Sequence, residues 1–201
     1  MANDLSDRIW WTRQCRIQAE KRLLANHKWS QYLLFWYSFF SVVLSVVILK
    51  FDFLEDYGDV LFVCFSVFTF AISLFLASSR FSQRADELKT NYTKLQALYE
   101  PISRLEKADD SNSSQYQELT KDYTALLDGV ENHLDIDDAS ALVDAWFRTP
   151  KLKRLKNLSR HPQSIHCLRL VKGASGRIIF RMISFSIPVV IVLATYWAET
   201  Q

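Results

Sequence analysis

The sequence predicts an all-α membrane protein, in which a transmembrane helical hairpin continues into a cytosolic helical hairpin or bundle and a third transmembrane helix follows. Two apolar runs lie close together at residues 31–49 and 59–79, the first uncharged and the second uncharged after Asp59, and a third apolar run covers residues 178–197. The chain has only four Gly and four Pro, so the turn-rich pattern of all-β proteins is absent. The net charge is +2, but the charges are concentrated outside the apolar runs.

The first thirty residues predict a cytosolic helix. No Pro or Gly interrupts them, and Asp4 or Ser6 can cap the helix start. Acidic residues stand where a signal peptide would carry basic ones, so we expect no signal peptide. Trp10 and Trp11 either pack on the cytosolic helices or dip into the lipid headgroups.

The first two apolar runs predict a pair of antiparallel transmembrane helices. At about 1.5 Å per residue, each run reaches roughly 30 Å, the thickness of a bilayer core. Lys50 ends the first run and Arg80 ends the second. The connection between them is too short for a domain, and Gly58 is expected to supply its turn. Trp29, Tyr32, Trp36 and Tyr37 are expected to form an interfacial aromatic belt.

The middle of the chain predicts a cytosolic helical hairpin, the first helix of which continues out of the membrane after Arg80. Apolar residues alternate three and four apart in two stretches, the first being Leu88, Tyr92, Leu95, Tyr99 and Ile102, and the second Tyr116, Leu119, Tyr123, Leu126 and Val130. Pro101 is expected to bend or stop the first helix. These seams either form a core within one chain or contribute in part to an oligomer interface.

An acidic cluster and a basic segment follow. Asp135, Asp137 and Asp138 lack the glycine and glutamate of a calcium loop, so we interpret them as helix caps. The basic segment at residues 151–172 admits three interpretations: contact with anionic lipid, binding of a nucleic acid or nucleotide, or determination of topology. We expect no direct nucleic-acid binding. The candidate contacts for anionic lipid or a ligand are Lys151, Lys153, Arg154, Lys156 and Arg160.

The third apolar run predicts a further span, with a helix lying against the hairpin or in the interface as the alternative. Arg181 stands about one turn from its start, where a long side chain can reach the headgroups. Pro188 removes one backbone donor and can kink the helix. Tyr196 and Trp197 suit the far interface.

The distribution of Lys and Arg predicts the orientation. Basic residues precede the first run, follow the second and precede the third, whereas the hairpin loop is acidic. We therefore expect a multi-pass protein of the bacterial inner membrane with a cytoplasmic N-terminus. The predicted divisions are an N-terminal cytosolic helix at 1–30, the membrane hairpin at 31–79, a cytosolic helical region at 80–176, and the third span with a short outer tail at 177–201.

No catalytic pattern is present in the sequence. It contains no phosphate-binding glycine loop, no nucleophile elbow and no zinc-protease motif. Cys15, Cys64 and Cys167 are too far apart to indicate a disulfide framework or a metal site. We therefore expect a protein that is not an enzyme and holds no cofactor or metal.

Hydroxyl side chains form one polar stripe on each helix of the membrane hairpin. Ser38, Ser41 and Ser45 are three and four residues apart on the first helix, and Ser66, Thr69 and Ser73 repeat this spacing on the second. The stripes either support tight helix packing or line a weakly polar pore. Because a single hairpin encloses no channel, a pore requires several copies of the chain.

Three segments of the sequence resemble the SLATT family of bacterial membrane effectors. They are AEKRLLANHKWSQYLL, the hairpin segment FWYSFFSVVLS and the exit ASSRFSQRADELKTNYTKLQALYEPISRLE, and the later segment YTALLDGVENHLDIDD resembles one branch of the family. The resemblance implies an effector of anti-phage or other conflict systems that oligomerises and breaches the inner membrane. It also implies a trigger from a partner, such as a nucleotidyltransferase, its nucleotide product or a reverse transcriptase.

A second functional hypothesis is a non-enzymatic membrane anchor. In that case, the helical hairpin and the basic segment would recruit a cytosolic partner, and the bilayer would stay intact. Both hypotheses share the lipid bilayer as a partner, and only the first requires a homo-oligomer.

Overall fold

A computed structural model describes residues 4–51, 58–154 and 158–200, and these residues contain α-helices but no β-strand. The helices are α1 (Leu5–Phe51), α2 (Gly58–Ser79), α3 (Phe81–Lys107), α4 (Ser114–Asp128), α5 (Asp135–Arg148) and α6 (Ser164–Glu199), with a 3₁₀ turn at Lys151–Lys153. The predicted all-α class is confirmed. The predicted hairpin loop lies mostly outside the described residues, and Gly58 is the first residue of α2.

The chain divides into two compact units. The extramembrane unit comprises residues 1–24 and 81–174, and the membrane unit comprises residues 25–80 and 175–201. Helices α1 and α6 each contribute residues to both units.

The membrane unit exposes its apolar side chains. Three helices are long and apolar enough to cross a bilayer, and α6 provides the third of them. Phe35 is 72% exposed, Leu49 87% and Phe75 69%, whereas the buried apolar cluster among the described residues of this unit comprises Leu44, Leu61 and Phe65. An apolar exterior around so small a core would be unstable in water, so lipid is the solvent of this unit.

Pro188 explains how α6 is held against α1. A proline inside a helix has no N–H, so the carbonyl four residues earlier, at Ser184, loses its helical partner. The Tyr37 hydroxyl of α1 donates to that carbonyl at 2.8 Å, and the indole of Trp36 donates to the carbonyl of Phe185 at 3.1 Å. Tyr37 is therefore buried, and its prediction as a member of the lipid-interface belt is wrong.

The extramembrane unit is built around the first part of α1. Leu5 and Ile9 of α1 pack with Leu95 and Ile102 of α3 and with Tyr123 of α4. A second cluster joins α1 and α3 through Ala19 and Leu23 of α1 and Ala85 and Leu88 of α3. The predicted α3 seam is thus confirmed as core, whereas Val130 of the second seam lies beyond the end of α4.

Trp11 settles one of the open alternatives. It is buried against Leu142, Ala145 and Leu158, and Trp10 packs on the edge of this cluster. The two rings meet edge to face with their centroids 4.6 Å apart. Trp11 therefore packs on the extramembrane helices and does not enter the headgroups.

One expectation about a helix end is corrected, and one of the two alternatives given for Pro101, that it stops the helix, is wrong. The predicted continuous helix across Arg80 is interrupted, because Arg80 has a φ of 45°, a left-handed conformation that costs energy for a residue with a Cβ. Pro101, in contrast, lies inside α3, which runs on to Lys107. Ala97 is exposed, so water can replace the hydrogen bond that its carbonyl loses to Pro101.

The Tyr37 hydroxyl should stabilise the membrane unit only while Pro188 is present. We expect Tyr37→Phe to lower the free energy of unfolding by about 1 to 2 kcal/mol, because the Ser184 carbonyl is left buried without a donor. In the Pro188→Ala background the helix supplies its own N–H, so the same Tyr37→Phe change should cost much less. A double-mutant cycle, measured by unfolding in detergent micelles, gives this coupling. If Tyr37→Phe lowers the free energy of unfolding equally with and without Pro188→Ala, the role given to the Tyr37 hydrogen bond is contradicted.

Candidate functional site

The hydroxyl stripes lie beside a cluster of apolar side chains that packs α1 against α2. The contact is made by apolar side chains, with Leu44 of α1 packed against Leu61 and Phe65 of α2. Ser38 and Ser66 are exposed, and the remaining stripe residues are half-buried: Ser41, Ser45, Thr69 and Ser73.

The stripe hydroxyls bond within their own helices. In the described part of the chain no hydrogen bond joins one stripe to the other, and three of the serines donate to a carbonyl three or four residues earlier. These bonds run from Ser45 to Val42, from Ser66 to Phe62 and from Ser73 to Phe70. Such bonds satisfy a hydroxyl inside a bilayer at little cost. Thr69 differs, because its buried hydroxyl has no partner among the described residues.

The basic candidates divide into outward-facing and inward-facing residues. Lys151 and Lys153 are exposed on the 3₁₀ turn, whereas the Arg154 guanidinium covers the ring of Trp146 with its Cζ 4.9 Å from the centroid. Arg160 forms a bidentate ion pair with Asp138. Lys156 lies outside the described residues. Contact with lipid or a ligand stays a prediction for all five, with Lys151 and Lys153 the most accessible of those described.

A buried arginine joins three helices of the extramembrane unit. Arg16 of α1 is 2% exposed, and its guanidinium donates to the Asn91 side chain of α3 and to the carbonyls of Leu126 and Leu127 in the last turn of α4. Carbonyls at a helix C-terminus lack helical partners and carry partial negative charge. Burial lowers the pKa of Arg16. The two carbonyls at the end of α4 accept hydrogen bonds from the guanidinium, as a carboxylate would in an ion pair.

Two aspartates at the start of α5 bind further arginines. Asp137 is 2% exposed and makes a bidentate pair with Arg22 at 2.9 and 3.0 Å. One of its oxygens also accepts from the backbone N–H of Leu134, which caps α5 as the sequence predicts. The second aspartate, Asp138, pairs with Arg160. Burial acts to raise the pKa of Asp138, but the hydrogen bond and charge of Arg160 lower it overall.

One group of side chains has the spacing of a metal site, but its chemistry is unsuitable. Cys15, His133 and Asp138 place one potential ligand atom each within 4.8 Å of one another. Burial and the neighbouring carboxylate raise the pKa of Cys15 to about 12, so its thiol stays protonated and donates to Asp138. Metals bind the thiolate, and both oxygens of Asp138 are held by Arg160. We therefore assign this group to packing.

Sequence reasoning missed the buried ionic network, although one signal was present. Leu5, Ile9, Arg16, Ala19 and Leu23 share one face of α1 at helical spacing, and Arg16 is the charged member of that apolar stripe. A charge in such a stripe must find partners inside the fold. The basic residues before the first apolar run, which include Arg16 and Arg22, were used only to predict orientation. Their need for buried partners was therefore missed.

Comparison with known proteins gives one family. The chain matches the family described as SMODS and SLOG-associating 2TM effector domain family 5 over residues 1–198. The match includes α6 nearly to its end, so the third apolar helix falls within the matched region. No curated protein and no solved structure matches the chain.

Removal of the buried Asp137 charge should destabilise the extramembrane unit strongly. We expect Asp137→Asn to cost about 3 kcal/mol of unfolding free energy, because Arg22 is left largely buried without a counter-charge. Asp135→Asn is the matched control, since Asp135 is 86% exposed in its pair with Arg169 and should cost less than about 1 kcal/mol. Denaturant unfolding followed by tryptophan fluorescence measures both. Similar small losses in the two variants would contradict the role given to Asp137.

Proposed function

The chain belongs to the SMODS and SLOG-associating 2TM effector domain family, which makes it a membrane effector of conflict systems, and from this premise we propose that it forms a pore. In this proposal it acts in bacterial anti-phage defence and abortive infection. Several copies assemble in the inner membrane and make it permeable when a signal arrives. The action needs no catalysis, because opening a bilayer to ions is a binding and conformational event.

The observation that carries the proposal is the position of the hydroxyl stripes. Leu44, Leu61 and Phe65 pack between α1 and α2, and Ser38 and Ser66 are exposed on the surface of the hairpin. Such a surface is weakly polar and uncharged, as the wall of an ion pathway between several hairpins would be. A single copy has no enclosed lumen, and the proposal therefore includes a homo-oligomer.

We assign the control of this pore to the extramembrane unit. Two ion pairs, Arg22–Asp137 and Arg160–Asp138, and the hydrogen bonds of Arg16 to the end of α4 connect the parts of this unit. A partner or nucleotide that binds a different arrangement of these helices shifts the population towards the open state. The signal would come from a nucleotidyltransferase, its nucleotide product or a reverse transcriptase.

The orientation belongs to the same proposal. Basic residues before α1's apolar run and around the start of α6 would keep the extramembrane unit in the cytoplasm. The N-terminus would then be cytoplasmic, and the acidic hairpin loop would face outwards. A cytoplasmic position gives the unit access to signals made during infection.

One observation favours the rival function, a membrane anchor that recruits a partner. Leu152 is 99% exposed and Phe147 73% exposed, and Lys151 and Lys153 flank Leu152. An exposed apolar and basic surface of this kind can bind a protein with an acidic, apolar face. The anchor would recruit this partner without any loss of membrane integrity.

Membrane potential in living cells should separate the two functions. We expect bacteria that carry the chain together with its neighbouring genes to depolarise after phage infection, as reported by a potential-sensitive dye. Cells with the neighbouring genes but without the chain should keep their potential. If infected cells with the full set stay polarised while the chain still co-purifies with a neighbour's product, the anchor function is correct and the pore is not.

Thiol labelling should identify the wall of the pore. In a Cys64→Ser, Cys167→Ser background we expect a charged, water-soluble thiol reagent to reduce conductance severalfold in Ser41→Cys and in Thr69→Cys. The matched controls are Val43→Cys and Val67→Cys, which lie on the opposite faces of the same helices and are 42% and 62% exposed. The controls should conduct normally after labelling. Equal inhibition of all four variants, or of none, would reject the stripes as the wall.

A further inference from the structure

The membrane unit contains a groove with a cation at one end. Its volume is about 650 Å³, and it is lined by Trp29 of α1 and by residues of α6 that include Arg181, Met182, Phe185, Val189 and Val190. This volume lies within the range of small-molecule sites in proteins, about 300 to 1,000 Å³. Met182 and Val190 are more than half exposed, so the groove opens towards the lipid side.

Arg181 is held in a fixed position within this groove. Its guanidinium lies over the ring of Trp29, with Cζ 5.0 Å from the centroid, and Trp29 in turn packs on Phe185 at 5.4 Å. Among the described residues Arg181 forms no ion pair with a carboxylate. The indole N–H of Trp29 is also buried without an acceptor among these residues. Two adjacent donors thus lack an anionic or acceptor partner.

The position of Arg181 along α6 corresponds to the headgroup level. It stands near the start of the apolar run, on the side where Lys28 and Arg177 also lie next to apolar segments. An arginine at this depth can reach phosphate groups, and the apolar residues further along α6 lie at the depth of acyl chains.

A second copy of the chain is a poor occupant of this groove. Its apolar runs at residues 31–49 and 59–79 carry one acid, Asp59. Asp59 lies at the loop end of the hairpin, whereas Trp29 lies near the other end of the hairpin helices. A packed span would therefore cover the Arg181 charge without neutralising it, which is costly in a bilayer. An anionic lipid satisfies both the cation and the apolar wall.

We propose that this groove binds one anionic phospholipid from the leaflet on the basic side of the membrane. Arg181 contacts the phosphate, and an acyl chain lies along Met182, Phe185 and Val189. The site is independent of pore formation, because it is complete within one copy of the chain.

Native mass spectrometry of the full chain in detergent tests the proposal. Phosphatidylglycerol and phosphatidylcholine with identical acyl chains are added separately, and bound lipids are counted on each copy. We expect one phosphatidylglycerol to bind more tightly than phosphatidylcholine. Arg181→Gln should weaken phosphatidylglycerol binding about fivefold to tenfold and phosphatidylcholine binding less, because the choline ammonium already offsets the phosphate charge of that lipid.

Arg177→Gln is the matched control, because it removes an exposed charge one turn earlier on α6 that does not line the groove. It should weaken binding by no more than about twofold. Ser186→Trp, which fills the groove and keeps Arg181, should weaken both lipids. This variant tests the site independently should Arg181→Gln fail to fold.

Three results would overturn the site. Equal losses in Arg177→Gln and Arg181→Gln would show diffuse attraction to anionic lipid. Displacement of phosphatidylglycerol by inorganic phosphate alone would remove the role of the acyl wall. Lipid-free dimers that separate on Ser186→Trp substitution would assign the groove to a second copy.

Discussion

The structure of the membrane unit depends on one constraint, namely that a backbone polar group inside lipid must be satisfied by the protein itself. Pro188 breaks the helical hydrogen bonding of α6 at the carbonyl of Ser184. Tyr37 supplies the missing donor from α1, and Trp36 supplies a second donor one residue further on. The proline that weakens α6 as an isolated helix therefore fixes its depth and rotation against α1. This bond makes α6 part of the unit, together with the contact of Val192 on the hairpin cluster.

Helix α1 also satisfies backbone carbonyls of another helix in the extramembrane unit. There, the orphan carbonyls at the C-terminus of α4 are satisfied by the guanidinium of Arg16. In both units a side chain of α1 satisfies backbone groups that another helix cannot satisfy itself. Apolar packing alone tolerates sliding between helices, whereas these directional bonds specify one register. The long helix α1 is thus the element on which each unit is ordered.

The sequence predicts the features that depend on composition and periodicity. It does not predict the features that depend on a hydrogen-bond or ion-pair partner distant in the sequence. The apolar runs, the seam at Leu88, Leu95 and Ile102 and the cap at Asp137 depend on local spacing, and all three occur as expected. Tyr37 was placed in an interfacial belt because nothing near it in the sequence announces that Pro188 frees a carbonyl beside it. The break at Arg80 is equally hidden, since arginine carries no signal for a left-handed backbone. The ion pair of Arg160 is hidden too, because its carboxylate partner stands twenty-two residues earlier in the sequence.

In the proposed pore, the hydroxyl stripe bonds of one chain contribute little energy to gating. Ser45, Ser66 and Ser73 already bond within their helices, so a new bond to another copy adds only about 0.6 kcal/mol each. To change a population from 1:99 to 99:1 requires about 5.5 kcal/mol. The three bonds of one chain add about 2 kcal/mol, and bonds that form equally in both states add nothing. Our proposal assigns the rest of the difference to the extramembrane unit, where removal of one partner of a buried ion pair costs about 3 kcal/mol or more. In this proposal, a partner that competes for Arg22 or Asp137 acts on one such pair.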